Sequence, residues 1–160
     1  MQTAILTREI LAKAFAALDS SVPYFDNSPD KLGDDLEESI SLFDRNARAK
    51  GIQTKSIEFE HSYDLECRVR SHIDGTGADD CMNRLYSLID LCLNAIIQIN
   101  GFNNQAIVSD ATIDFSIDTE SEFVYFLAKL SFSVSFSVEY EYLKPETCKV
   151  FTTQIVVNGD

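Results

Sequence analysis

Three features of the sequence predict an α+β fold: a mainly antiparallel sheet of four to five strands with two helices packed on one face. The first is Glu122–Tyr142, where Val124, Phe126, Ala128, Leu130, Phe132 and Val134 open an even-numbered set that stays almost wholly apolar to Tyr142. Most odd-numbered neighbours from Ser131 to Glu141 are serine or glutamate. Side chains alternate across a strand with period two, so this register buries one face and wets the other. The second is a like alternation from Ile57 to Val69, with His61 in phase with the apolar set and Glu58, Glu60, Asp64 and Arg68 opposite. The third is a pair of segments with apolar residues at three-four spacing, one before and one between the strand patterns.

The elements follow in order. Thr7 to Leu18 is predicted helical from Ile10, Leu11, Phe15 and Leu18, and Asp19-Ser20-Ser21 with Pro23 stops it. Val22 to Asp35 reads as loop, broken by Asn27, Pro29 and Gly33. Ser39 to Phe43 is a short strand, and a polar, basic link (Asp44 to Lys55) leads to the second strand. That strand ends at the turn Gly75-Thr76-Gly77, which lacks the lysine of a phosphate loop. Asp79 and Asp80 supply an N-cap for a helix to about Ile99, stopped by Asn100-Gly101. Its stripe Met82, Leu85, Ile89, Cys92, Ile96 and Ile99 covers the sheet. Tyr86, Leu93 and Ile97 form a second apolar set, so this helix buries a second face, against the first helix or against another subunit. Ile107 to Ile117 is the third strand, joined by the acidic turn Asp118 to Glu122 to the long fourth one. Pro145 breaks that strand, and Val150 to Val157 is predicted as one further edge strand. The order is α-β-β-α-β-β plus the C-terminal strand, in one domain (1–143) with an extension (144–160).

Composition excludes several function classes. At 160 residues and 45% hydrophobic content the chain can bury a core without disulfide or metal. Its apolar runs fall short of the ~20 residues that span a bilayer, and Met1 to Leu18 is amphipathic with no signal-peptide core, which predicts a cytoplasmic product. Cys67, Cys81, Cys92 and Cys148 are scattered, with no C-x-x-C, and read as reduced thiols. With only His61 and His72, neither near a cysteine partner, no zinc site is expected. Asp114, Asp118, Glu120 and Glu122 do not match a calcium loop. No nucleophile elbow, P-loop or zincin motif occurs, so neither enzyme nor cofactor is expected.

A net charge of −13 disfavours ordinary nucleic-acid binding. The charge is uneven. Seven acids between Asp19 and Glu38, among them Asp30, Asp34 and Asp35, face Lys31 alone, whereas Arg45, Arg48, Lys50 and Lys55 stand unopposed. The two patches either meet head to tail on neighbouring copies or are separately solvated loops.

In arrangement the chain resembles the phage tail terminator proteins of the minor tail protein U type, over roughly residues 1 to 142. The likeness lies in the amphipathic first helix, the segment Tyr24-Phe25-Asp26-Asn27-Ser28-Pro29, and the short strand Ser39 to Phe43. It continues through the charged link, the strand Lys55 to Arg70, the Asp-capped helix and the acidic hairpin ending in Tyr140-Glu141-Tyr142. The resemblance implies a structural virion protein that forms a ring, usually of six copies, on the head-proximal end of the tail tube. Such a ring stops tube polymerisation and offers a docking face to the head connector, while DNA passes through unbound. It also implies that Arg45 to Lys55 is an assembly loop, with Asp30 to Glu38 as its acidic counterpart. The rival readings are a head-tail neck completion protein and a small-ligand-binding domain around His61.

Overall fold

The computed structural model describes residues 2–26, 36–53, 55–72, 78–102, 107–120 and 122–139. Its elements are α1 (Gln2–Leu18), β1 (Tyr24–Asp26), β2 (Glu38–Ile52), β3 (Ser56–His72), α2 (Ala78–Phe102), β4 (Ile107–Glu120) and β5 (Phe123–Glu139). The strands form one sheet in the order β1-β2-β3-β5-β4. Among the described residues, β1 and β2 run parallel and the other pairings are antiparallel. The predicted α+β class and the two-helix, one-sheet layout hold.

The alternation that predicted β5 sets the core. β3 and β5 pair without a register shift from Ser56↔Glu139 to His72↔Phe123. Leu65 therefore lies beside Leu130 and Tyr63 beside Phe132, all buried with Ala128 and Val134 on one face. Ile40 and Leu42 of β2 extend that face. Ile10, Leu11 and Phe15 of α1 and Leu85, Ile89, Cys92 and Ile96 of α2 close over it. Each fully buried Leu or Ile here contributes about 1.5–3 kcal/mol relative to an exposed one. α1 sits toward the β1 margin, with Phe15 stacked on Tyr24 at 4.7 Å, while α2 lies over β3 and β5. Cys67 and Cys92 bring their sulfurs to 3.4 Å across the helix–sheet interface, and both are free thiols, as is Cys81. That contact and burial push the Cys92 thiol up, away from thiolate reactivity.

Several boundaries differ from the sequence reading. The short strand Ser39–Phe43 and the polar link after it are one continuous strand, β2. Its outer half looked like loop because both its faces are wet. Pairing with β3 holds it in the sheet, and two bulges, between Asp44 and Asn46 and between Ala49 and Gly51, absorb its irregularity. Within the expected loop Val22–Asp35, Tyr24–Asp26 is a strand in register with Ile40–Leu42. α1 starts at Gln2, earlier than expected. α2 starts at Ala78, so Asp79 and Asp80 lie in its first turn, where they oppose the positive end of the helix dipole without capping it. The helix also passes through Asn100-Gly101 to Phe102, and the Asn100 side-chain oxygen accepts a hydrogen bond from the Val108 amide at 2.9 Å. β4 runs on to Glu120, past the expected end at Ile117, and β5 begins at Phe123. Asp110 holds a left-handed φ of 35° at a bulge near the start of β4, a conformation aspartate tolerates better than most residues. The Gly75-Thr76-Gly77 turn, Cys148, Tyr140–Tyr142 and the expected strand Val150–Val157 lie outside the described residues.

Candidate assembly interface

The strand order places β4 at one margin, which α2 covers only in part. Register opposite β5 (Ile113↔Leu130, Phe115↔Ala128, Ile117↔Phe126) puts Ile113, Phe115 and Ile117 on the same face as the core. They are nevertheless 36%, 53% and 66% exposed. The period-two pattern of Ile107 to Ile117 places this set on one face and does not say whether a helix lies above it.

The second apolar set on α2 explains the rest of the surface. Tyr86 and Ile97 are 53% and 61% exposed, while Leu93 packs partly against the core. α1 leaves them uncovered because it lies toward the opposite margin. Tyr86 meets Phe115 edge-on at 6.1 Å. Between helix and strand runs an open groove of about 430 Å³, lined by Met82, Leu85, Tyr86, Phe115, Ile117 and Phe126 among others. Lining of this kind, apolar and unpaired, is suited to a protein surface rather than to bond-making chemistry.

The charged candidates take a different place. Arg45 lies 3.3 Å from Asp64 of β3, the Arg48 Nε donates to Glu60 Oε1 at 2.9 Å, and Lys50 forms an ion pair with the same Glu60 carboxylate. These cations are partnered within their own hairpin, yet Arg45 and Arg48 keep 53% and 67% of their side-chain surface exposed. Lys50 first and then Arg48 hold the Glu60 carboxyl below its ordinary range. The Ser131 hydroxyl donates to Asp64 at 2.6 Å and the Ser62 and Ser133 hydroxyls lie 2.8 Å apart, so this is the wet face of the sheet. Tyr125 is buried there beneath the Arg68 guanidinium, 3.7 Å from its ring centroid, a site the alternation alone did not reveal. Asp30, Asp34 and Asp35 lie outside the described residues.

His61 belongs to a structural cluster. Arg8 of α1 spans Asp26 of β1 at 3.0 Å and Asp44 of β2 at 2.9 Å, and His61 Nε2 lies 3.5 Å from the other Asp44 oxygen. The imidazole stacks on Tyr63 at 4.4 Å, and Tyr63 on Phe132 at 5.5 Å. Burial lowers the His61 pKa against the pull of Asp44, and burial pushes the Tyr63 phenol up to about 12. The arrangement ties α1 to two strands.

Among the described residues, no group of three or more His, Cys, Asp or Glu is placed to hold a metal ion. Among them, too, no helix is long and apolar enough to cross a membrane. No protein-family model matches the chain, and no curated protein matches it in sequence.

Proposed function

We propose that this chain is a structural assembly subunit of the phage tail terminator type, acting as a homo-oligomeric ring at the head-proximal end of a tail tube. In this role it stops tube growth and presents a docking surface to the head connector, with no catalytic step of its own. The observation that carries the reading is the apolar surface shared by α2 and β4, where Tyr86, Ile97, Phe115 and Ile117 are each more than half exposed. A single copy gains nothing by leaving such surface wet, whereas burying it between copies is favourable at roughly 25 cal/mol per Å². The net charge of −13 supports a conduit that does not grip passing DNA.

The test is electron microscopy of virions assembled without this protein. Overlong tails are the expected result. Tails of normal length without heads would instead assign the chain to neck completion, and unaltered virions would refute both roles.

A further inference from the structure

Among the described residues the sheet has two free margins, and they differ in charge. Among the described residues, β4 is bonded along one side only, to β5. At the other end of the sheet, β1 covers only Ile40–Leu42, so among the described residues β2 from Asp44 to Ile52 is itself a margin. β4 carries Asp110, Asp114, Asp118 and Glu120 and no basic residue. The β2 margin carries Arg45, Arg48 and Lys50, and its one acid, Asp44, is bound by Arg8. Their core-side faces also complement one another. Ile113, Phe115 and Ile117 stand out from β4, whereas β2 offers the exposed small residues Ala47 and Ala49 and the 78% exposed Ile52, a shallow apolar shelf.

We propose that the β4 margin of one copy seats on the outer β2 margin of the next, with Asp114 and Asp118 facing Arg45 and Arg48 and the β4 isoleucines and Phe115 lying on the alanine shelf. This contact rests on the ring reading above and names its two surfaces. It joins different patches of the same chain, the head-to-tail geometry that closes into a ring when the rotation permits. The guanidinium groups have capacity for it, since each has five N–H donors and Asp64 and Glu60 use only part of them. The bulges in β2 break up the margin's backbone groups, so the contact is made by side chains and not by a continuous ladder.

Two charge-reversed variants test the pairing by sedimentation velocity at low and high salt. The first is Asp114→Lys with Asp118→Lys, and the second is Arg45→Glu with Arg48→Glu. The natural chain should associate, less so as salt rises. Each variant alone should associate about tenfold or more weakly. An equimolar mixture should recover, because the reversed β4 margin of one meets the reversed β2 margin of the other. Recovery also shows that both variants fold. If the natural chain associates and neither variant changes it, the margin assignment is overturned while the ring reading stands. If both variants are weakened and folded by circular dichroism but the mixture does not recover, charge pairing is refuted. A natural chain that stays monomeric alone and on tail-tube ends would overturn the ring reading and this contact together.

Discussion

One apolar sheet face is treated in two ways in this molecule. Under α1 and α2, Leu42, Leu65 and Leu130 are wholly buried, and aliphatic contact there holds the fold together. One strand further out, Ile113, Phe115 and Ile117 continue the same face and remain wet. The strand pattern is the same in both regions, and what differs is the helix above. Apolar residues in the first region stabilise the monomer, and those in the second add little to it, which is why they are candidates for contact with other subunits.

The sharpest way to break that contrast is a pair of truncations. Leu65→Ala or Leu130→Ala should cost about 2–5 kcal/mol in urea unfolding, the range for cavities in a packed core. Ile117→Ala and Phe115→Ala should stay within about 0.5 kcal/mol of the natural chain under dilute conditions. A core-sized loss at Ile117 would show that the β4 face is covered after all.

A smaller effect is expected where α1 is pinned. Arg8→Met removes the partner shared by Asp26 and Asp44, and should cost about 1–3 kcal/mol in the same titration. His61 sharpens this through pH. Its folded pKa lies below the ordinary 6.5, because burial disfavours the imidazolium. The unfolded chain therefore binds this proton more readily. The contribution of neutral His61 is full above about 6.5 and is lost as pH falls from there through the lower folded pKa. His61→Gln should flatten the fall in melting temperature between roughly pH 7 and pH 5. A steeper fall would mean that Asp44 dominates the site.

The smallest change is expected on the wet face. Arg48→Ala removes an exposed cation from Glu60 but leaves Lys50 paired with that buried carboxylate, so the urea midpoint should move little, and less still in high salt. A large, salt-insensitive loss would mean that the β2–β3 charges organise the hairpin.

These two regions also mark how far the sequence could be read. β3 and β5 were legible almost to the residue, because one buried face against one wet face leaves a strict period of two. The second face of α2 was legible as well, since Tyr86, Leu93 and Ile97 stand off its main stripe. The outer half of β2 was not legible. Asp-Arg-Asn-Ala-Arg-Ala-Lys has no apolar alternation, and it is held as a strand by its pairing with β3 across the hairpin. β1 was hidden for a related reason, since three residues beside Pro23 carry no periodicity and pair only with distant Ile40–Leu42. The exposure of β4 depends on where α1 packs, and that is a tertiary fact.

The central claim is that the α2–β4 surface is covered by protein when the chain does its work. Its most direct test is the association state of Tyr86→Glu/Phe115→Glu beside the natural chain, by sedimentation velocity over a range of concentrations. The account predicts that the natural chain assembles and that the variant stays monomeric, with the far-ultraviolet circular dichroism of the natural chain. A variant that assembles as readily as the natural chain would contradict it.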